Sequence, residues 1–286
     1  MQYVIITPVR DEEKYIERTI ESVLSQTIKP VEWVIVDDGS SDGTGMVIDG
    51  YASRYQWVNT VHRSNRGFRK AGEGVMEAFQ AGYHSLKSRG WDFLVKLDGD
   101  LVLDSDYFET CFEQFRKNPN LGIGGGQVCH VIGGRTVPEP QPRFHVRGAT
   151  KIYRRECWTA IGGLVAATGW DTIDEVKANM LGWETRTFSD IKIIQLRQTG
   201  AALGMWRNWI KNGRANYIAG YHPLFMLLKC FRLVGQKPYL IGAIGACFGF
   251  ITGYTKRIPQ IEDKALIEYL RKQQLMRLLG RKTIWR

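Results

Sequence analysis

The stretch VIVDDGSSDGT at residues 34–44 starts with a short apolar run and ends in acids and a polar turn. Similar apolar runs followed by polar or acidic residues occur at 4–13 and 93–100. The first run is followed by apolar residues at helical spacing, which are Ile16, Ile20, Val23 and Leu24. Because neighbouring parallel strands need crossover connections, strands that alternate with helices predict a mostly parallel central sheet and an α/β fold.

Acidic residues follow two of the predicted strands. Asp37 and Asp38 end the second, and Asp98 and Asp100 come directly after the strand at 93–97. Open α/β sheets bind ligands in the crevice outside the carboxyl ends of their strands. In an extended chain, Asp98 and Asp100 would project to one side, where both carboxylates can bind one cation. Such hard oxygens suit Mg²⁺ or Mn²⁺ bridging a diphosphate, although Asp is also common where strands enter turns.

Two further groups of polar residues are candidates for the same crevice. We expect Asp38 to accept a hydrogen bond from the base or ribose of a nucleotide and Asp37 to cap the following turn. Alternatively, both acids only cap the turn at 40–44. Arg66 and Lys70 lie in the loop after the third predicted strand, where cations would offset phosphate charge. Arg66 and Lys70 could equally be solvated residues of an exposed loop, so this alternative stays open.

Composition limits the classes of function. The 286 residues are 44% hydrophobic, which allows a sizeable core, and the net charge of +10 fits a nucleic acid, an anionic membrane or a phosphorylated ligand. From Arg207 to Arg286, Lys and Arg alternate with Trp, Tyr and Leu, which favours a membrane surface, and we expect no nucleic-acid partner. Five scattered cysteines without a C-x-x-C pair argue against zinc and for reduced thiols. Because residues 1–3 lead directly into a strand, we expect no signal peptide and a location at the cytosolic face of the membrane.

The C-terminal part contains an uncharged apolar run at 238–255. Its glycines recur every three or four positions, at Gly242, Gly245, Gly249 and Gly253. In a helix they would form one small-residue face, which predicts either contact with a bilayer or a buried helix that packs through its glycines. Several aromatic residues precede the run, namely Trp206, Trp209, Tyr217 and Tyr221. They could form an acceptor or lipid-phosphate platform, and ordinary packing explains them equally well.

Four motifs together give a specific resemblance. Pro8–Glu12, the 34–44 stretch, Asn65–Gly67 with Lys70–Gly72, and Asp98–Asp100 resemble family 2 of the inverting nucleotide-sugar glycosyltransferases, which have the GT-A fold. The match in order and spacing covers about the first 100 residues and extends more loosely to about residue 185. The resemblance implies an enzyme that uses a nucleoside diphosphate sugar with Mn²⁺ or Mg²⁺.

The resemblance also implies roles for single residues. In the family, the positions matching Pro8, Glu12 and Asp38 line the nucleotide pocket, and those matching Asp98 and Asp100 hold ribose, diphosphate and metal. With the loop cations and neighbouring positions, the expected nucleotide-sugar contacts are Thr7, Pro8, Glu12, Asp38, Arg66, Lys70, Asp98 and Gly99. The expected metal ligands are Asp98 and Asp100.

An acidic motif later in the chain supplies the catalytic base in this family. It is usually Glu-Asp, about eleven residues before a Gly-aromatic pair. Counting back from Gly182–Trp183 leads to Asp171, where Trp170 replaces the Glu, and Asp174–Glu175 lie one turn on. Asp171 is therefore the first candidate for the base and Asp174 the second. A structural alternative is that Asp171 caps the helix that follows.

We therefore predict metal-dependent, inverting transfer of a hexose or hexosamine from a UDP-sugar to a lipid-linked or cell-envelope glycan. Residues 1–203 would form the catalytic domain, with a nucleotide-sugar half (1–118) and an acceptor half (119–203). Residues 204–286 would form a helical, basic region that contacts the membrane surface.

Three other classes of protein are alternatives to this one. A dinucleotide-binding dehydrogenase would need G-x-G-x-x-G directly after the first strand, where residues 7–10 read TPVR. A basic nucleic-acid-binding module is supported by charge alone. A sugar-nucleotide-binding protein without turnover would follow if Asp171 could not approach the anomeric carbon.

Overall fold

A computed structural model of the chain describes residues 1–68, 72–165, 167–197, 204–235 and 239–285. The strands in these ranges are β1 (Tyr3–Val9), β2 (Glu32–Asp37), β3 (Val58–His62), β4 (Phe93–Leu97), β5 (Leu101–Leu103), β6 (Leu121–Ile132), β7 (Arg135–Pro138), β8 (Thr150–Arg154) and β9 (Glu184–Gln195). The helices are α1 (Ile16–Leu24), α2 (Thr44–Ala52), α3 (Glu73–Ser85), α4 (Tyr107–Lys117), α5 (Arg155–Ile161), α6 (Trp170–Met180), α7 (Met205–Ile218), α8 (Pro223–Val234), α9 (Ile241–Thr255) and α10 (Lys264–Leu278).

The strands form one sheet in the order β3-β2-β1-β4-β8-β6-β9-β5, with β7 paired to β6. The first four are mutually parallel, because α1, α2 and α3 cross over between them. Beyond β4 the sheet becomes mixed, since β8 is antiparallel to both β4 and β6, while β9 is parallel to β6. The predicted α/β fold is confirmed, and the parallel part of the sheet coincides with the part of the chain where strands and helices alternate.

Strand β1 shows why these runs are apolar throughout. Tyr3 and Ile5 belong to one buried cluster, which also contains residues of α1, α2 and α4. Val4 and Ile6 belong to a second cluster with residues of α3 and α5. Because successive side chains point to opposite faces of a sheet, a strand that is covered on both faces needs apolar residues at every position. The layers thereby hold the carboxyl ends of β1, β2 and β4 along one edge.

The C-terminal helices pack against the rest of the protein through a third buried cluster. Ile173 and Val176 of α6 join residues of α7, α8, α9 and α10 there. The region after residue 204 is helical in its described parts, as predicted. The proposed domain boundary near residue 203 lies outside the described residues and stays a prediction.

The glycines of α9 pack directly against α7. A Cβ atom added at Gly249 would lie 2.1 Å from the carbonyl oxygen of Ile210, and one added at Gly213 of α7 would lie 2.0 Å from that of Ala246. The glycine face is therefore buried between two helices. Its other neighbours include Trp209 and Tyr217, so these two aromatic residues are used in packing. Among the described residues, no helix combines the length and apolar character that crossing a bilayer requires.

We expect Gly249→Ala to lower the free energy of unfolding by about 1–3 kcal/mol, because the methyl group overpacks a backbone contact that cannot move aside. This net loss persists although Ala favours a helix over Gly by roughly 1 kcal/mol. Urea titration followed by circular dichroism measures the change. Gly235→Ala is the matched control, since a Cβ atom there meets nothing within 4 Å. Equal stability of the two variants would contradict this description of the interface.

Candidate active site

Four acids lie at the carboxyl edge of the parallel strands. Glu12 follows β1, Asp38 follows β2, and Asp98 and Asp100 follow β4. Glu12, Asp38 and Asp100 are buried, whereas the Asp98 side chain keeps 31% of its surface exposed. Buried carboxylates require cationic or hydrogen-bonding partners. Each of these acids has such a partner, so the edge is a network of ion pairs rather than a row of isolated acids.

Asp98 and Asp100 lie in a turn between β4 and β5, not in the extended conformation expected from the sequence. The turn depends on Gly99, because a Cβ atom there would lie 2.6 Å from Val9 Cγ1 and 3.2 Å from Ile16 Cδ1. A side chain at this position would therefore face the core, and the expected contact of Gly99 with the nucleotide sugar stays a prediction. The turn leaves Asp98 at the surface and Asp100 inside.

Each acid of this turn has different partners. Lys96 donates from Nζ to Asp98 Oδ1 and to the carbonyl oxygen of Gly148. Gln195 donates to Asp100 Oδ2 at 3.2 Å, and Arg197 Nε lies 3.6 Å from the same oxygen. Arg197 also donates to Glu12 Oε1. One arginine thus connects the acid after β1 with the acid after β4.

The carboxylates of Asp98 and Asp100 would suit a divalent cation whose other ligands are water and phosphate oxygens. Burial and the charge of Asp98 raise the pKa of Asp100 to about 6, while Arg197, Gln195 and Lys96 act in the opposite direction. In the described part of the chain, no cluster of three or more His, Cys, Asp or Glu side chains is arranged to hold a metal ion. Two mutually repelling carboxylates fit Mg²⁺ or Mn²⁺ if water and phosphate oxygens complete the coordination shell.

Asp38 is held by arginines. Arg63 donates to Asp38 Oδ1 at 2.5 Å, and Arg66 donates to both carboxylate oxygens, at 3.0 Å for Oδ1. Arg66 also lies 3.6 Å from Glu77 Oε2. The guanidinium of Arg66 thus pairs with Asp38 and Glu77, and its expected role in offsetting phosphate charge stays a prediction. Arg10 donates to the carbonyl oxygen of Asp38 at 2.8 Å and fixes the backbone there.

The remaining predicted nucleotide contacts differ in where they lie. Asp37 Oδ1 accepts from the backbone and hydroxyl of Ser40 at 2.8 and 2.6 Å, so this acid caps the turn. Thr7 is fully buried, and its hydroxyl accepts from Trp33 Nε1 at 2.9 Å, so the structure directs this side chain into the core. Pro8 is buried in β1. Lys70 lies outside the described residues.

Asp171 lies in the first turn of α6 close to the Asp98 turn. The N-cap is Gly169, and no side chain caps this helix, so the capping alternative is not observed. Burial alone would raise the pKa of Asp171, but the charges of His145, Lys151, Arg147 and Lys96 outweigh it and lower the pKa. A Cβ atom on Gly148, whose carbonyl accepts from Lys96, would lie 3.3 Å from Asp171 Cβ. Asp171 thus lies beside Gly148, which shares its Lys96 partner with Asp98.

Asp174 is part of a buried ion network. Lys151 Nζ donates to both of its carboxylate oxygens, at 2.8 and 3.0 Å, and Tyr153 donates to Oδ2 at 2.6 Å. Burial raises the pKa of Asp174 to about 6, against the effect of Lys151. Glu175 contacts the same lysine at 2.8 Å and the His145 ring at 2.8 Å. Asp174 is buried and its oxygens are taken up by Lys151 and Tyr153, whereas Asp171 is half-buried, which favours Asp171 as the base.

Sequence reasoning missed three residues of this network. Lys96 and Lys151 are almost fully buried. Lys96 is a lone lysine in the otherwise apolar strand β4, which is a signal of a buried acid partner, whereas Lys151 lies in β8 among other polar residues and gives no such signal. Arg197 lies just after β9 and is 185 residues from Glu12 along the chain. No local pattern reports a contact at that separation.

Comparison with known proteins identifies relatives of the first half of the chain. The model of "Glycosyl transferase family 2" matches residues 4–166. The chain is 28% identical over 137 residues to the uncharacterized glycosyltransferase EpsJ of Bacillus subtilis, which is 48% of this chain and 37% of that protein. It is 31% identical over 117 residues to a poly-beta-1,6-N-acetyl-D-glucosamine synthase of Staphylococcus epidermidis, which is 41% of this chain and 26% of that protein. The matches thus span well under half of these relatives.

Solved structures share the fold. TarS residues 1–349 of S. aureus in complex with UDP aligns over 90% of this chain and 72% of that one, with 17% identity and a TM-score of 0.53. The mannosyltransferase PcManGT of Pyrobaculum calidifontis in complex with GDP-Man and Mn²⁺ aligns over 93% and 78%, with 15% identity and a TM-score of 0.56. These likenesses confirm the predicted GT-A fold.

Proposed function

This chain belongs to glycosyl transferase family 2, and we propose that it transfers a hexose or hexosamine from a UDP-sugar to a hydroxyl of a lipid-linked or cell-envelope glycan. Transfer inverts the anomeric centre. The observation that carries the proposal is the position of Asp171 beside Gly148, whose carbonyl oxygen accepts from Lys96, the partner of Asp98 at the carboxyl edge of the sheet.

The proposed reaction needs a base on one side of the sugar and positive charge on the other. The acceptor hydroxyl attacks the anomeric carbon from the face opposite the nucleotide, and Asp171 takes its proton as the bond forms. Asp171 is ionised near pH 7, since nearby cations lower its pKa. Because one displacement completes the transfer, no second carboxylic acid is required, unlike in a glycoside hydrolase.

Asp98 and Asp100 would hold Mg²⁺ or Mn²⁺ together with the donor diphosphate. Bound there, the cation would neutralise charge on the leaving nucleoside diphosphate. Asp98 is the partly exposed member of the pair, and Asp100 is held from behind by Gln195 and Arg197. Glu12 and Asp38, held by arginines, would orient the ribose and base at the same edge.

A panel of sugar nucleotides tests the proposed donor. With Mn²⁺ present, the correct sugar nucleotide should raise the melting temperature, since a ligand at 100 times its Kd stabilises the folded state by about 2.7 kcal/mol. Asp98→Ala should remove the metal-dependent part of this stabilisation. Asp190→Ala, at an exposed position on β9, is the control and should leave it unchanged. If no sugar nucleotide stabilises the unaltered protein with Mn²⁺, the proposed donor class is wrong.

Contact with a membrane surface is supported by exposed apolar residues on two adjacent helices. On α8, Leu227 is 50% and Phe231 66% exposed, and on α9 Ile244 is 55%, Phe248 51% and Ile251 52% exposed. Their spacing of three, four or seven residues places each set along one side of its helix. Lys256 and Arg257, which are exposed directly after α9, would favour anionic lipids.

Flotation with lipid vesicles tests this contact. The protein should float with vesicles that contain phosphatidylglycerol and much less with pure phosphatidylcholine, because anionic lipid attracts the basic region. Phe231→Ser with Phe248→Ser should release most of the protein. Met46→Ser, on the 80% exposed Met46 of α2, controls for loss of an apolar side chain elsewhere. Equal flotation of all three proteins would contradict the assignment of this surface.

A further inference from the structure

A cavity of about 440 Å³ lies between α6, α8, α10 and the chain near residue 285. Most of its wall is apolar and aromatic, and the residues that form it include Phe144, Tyr221, Phe225, Leu228, Leu278 and Trp285. Phe225 and Trp285 contact each other with ring centroids 5.7 Å apart, and so do Phe144 and Trp285 at 5.3 Å. The cavity is distinct from the acid edge, since neither Asp98 nor Asp100 lines it.

Three cations line this apolar cavity. They are Lys229 and Arg232 of α8 and Arg277 of α10. Lys229 Nζ lies 5.3 Å above the Tyr221 ring, and the Arg277 guanidinium lies 5.6 Å from the Trp285 ring. In the described part of the chain, none of the three forms an ion pair with a carboxylate.

None of the described residues that line the cavity is an acid, and the Lys229 ammonium has only the Asn216 amide oxygen as a hydrogen-bond partner there, at 3.5 Å. Burial lowers the pKa of Lys229. Burial and the neighbouring charge of Arg232 lower the pKa of Arg277. His145 also lines the cavity, but its ring is hydrogen-bonded to Glu175 at 2.8 Å. Holding Lys229 and Arg277 in this apolar cavity beside Arg232 without an anion is unfavourable, and a bound anion would relieve it.

The cavity adjoins the proposed base. Thr172, the residue after Asp171, lines it. Burial raises the pKa of Tyr221, the charges of Asp171 and Glu175 raise it further, and the charge of Arg277 opposes them. Tyr221 lines the cavity and is subject to the charges of both the proposed base and Arg277. A ligand in the cavity would therefore lie next to the residue that follows Asp171 in α6.

The other side of the cavity leads to the apolar surface of α8. Leu228 lines the cavity and is itself 43% exposed, and Leu224 and Leu227 beside it are 48% and 50% exposed. A ligand that fills the cavity could therefore continue as a hydrocarbon chain along α8. An apolar wall, three cations and an apolar exit together fit an amphiphile with a phosphate at one end.

We propose that this cavity binds the phosphate or diphosphate of a lipid-linked acceptor, with its charge at Lys229, Arg232 and Arg277 and its hydrocarbon chain leaving along α8. The assignment rests on the glycosyl transfer proposed above and names the acceptor class for it. The acceptor hydroxyl would then come from a sugar attached to the lipid phosphate, since the phosphate oxygens are paired with the cations and are largely deprotonated near pH 7.

Farnesyl phosphate is a suitable probe, and isothermal titration calorimetry measures its binding to the full chain without donor. Inorganic phosphate has the anionic group without the hydrocarbon chain, and farnesol has the chain without the phosphate. Each should bind at least about tenfold more weakly than farnesyl phosphate. Arg277→Gln and the exposed Arg232→Gln should each weaken farnesyl phosphate about tenfold. Lys272→Gln removes the same charge from an exposed position of α10 and should change nothing.

The outcomes separate this proposal from the proposed function. If farnesyl phosphate binds no more tightly than farnesol, or if Arg232→Gln and Lys272→Gln bind it equally, the cavity is not a lipid-phosphate site. Binding to inorganic phosphate as tightly as to farnesyl phosphate would exclude a lipid and leave a free anion as the ligand. Stabilisation by sugar nucleotides with Mn²⁺ is measured separately, so a protein that binds a donor but not farnesyl phosphate would overturn only the acceptor assignment.

Discussion

Replacing Asp171 with Asn should reduce glycosyl transfer about 10³-fold, the order of loss expected when a positioned general base is removed. The change keeps the size of the side chain and removes the carboxylate that takes the proton. Affinity for the donor should be unchanged, since Asp171 lies beyond Lys96 and Gly148 from the Asp98 turn. Release of UDP in the presence of acceptor measures turnover, and the shift in melting temperature with donor and Mn²⁺ measures binding.

Two further variants make this result specific to Asp171. Asp190→Asn makes the same chemical change at an exposed residue of β9 and should keep full turnover. Asp174→Asn should lower stability, because Asp174 accepts from Lys151 and Tyr153 in the core, and the folded protein should retain transfer. Full turnover in Asp171→Asn, or its loss in folded Asp174→Asn alone, would exclude Asp171 as the base.

Replacing Lys151 with Met should lower the free energy of unfolding by about 3–5 kcal/mol, which is the range for removing one partner of a buried ion pair. Lys151 is fully buried and contacts Asp174 Oδ1 and Glu175 Oε1, both at 2.8 Å. Met fills similar space but leaves both carboxylates without their ammonium partner. Guanidinium unfolding followed by Trp fluorescence measures the loss. Lys192→Met, at an exposed position of β9, is the control and should change stability by less than about 0.5 kcal/mol.

The loss in free energy of unfolding caused by Lys151→Met should become smaller as the pH falls. The pKa of Asp174 is already raised to about 6, and losing Lys151 should raise it further. A carboxyl group whose pKa is higher in the folded than in the unfolded state binds more protons when folded, so its contribution to stability grows as pH falls. The difference between the variant and the unaltered protein should therefore narrow from pH 7 to pH 5. A deficit that widens on acidification would show that the carboxylates are not the cause.

The order of strands and helices was predictable because its signals are local. The apolar run before Asp37 and the helical spacing after residue 16 appear as β2 and α1. That acids would gather at one edge also followed from sequence, since parallel strands end on the same side. The resemblance carried by residues 4–100 indicated the family, and the family model matches that part of the chain. The glycine spacing in 238–255 indicated a small-residue helix face and left its partner open.

The sequence by itself determined the α/β order of elements, the acidic ends of the strands and the glycine face of α9, because each depends on residues a few positions apart. Only the tertiary structure decided that Arg197 joins Glu12 to Asp100, that Thr7 bonds to Trp33, and that α7 covers the glycines. It also separated Asp171 from Asp174, since one is close to Gly148 and the other is held by Lys151 in the core. These contacts join residues far apart in the chain, so no local pattern can predict them. The same long-range packing buries Asp174 against Lys151 and leaves Asp171 half-buried.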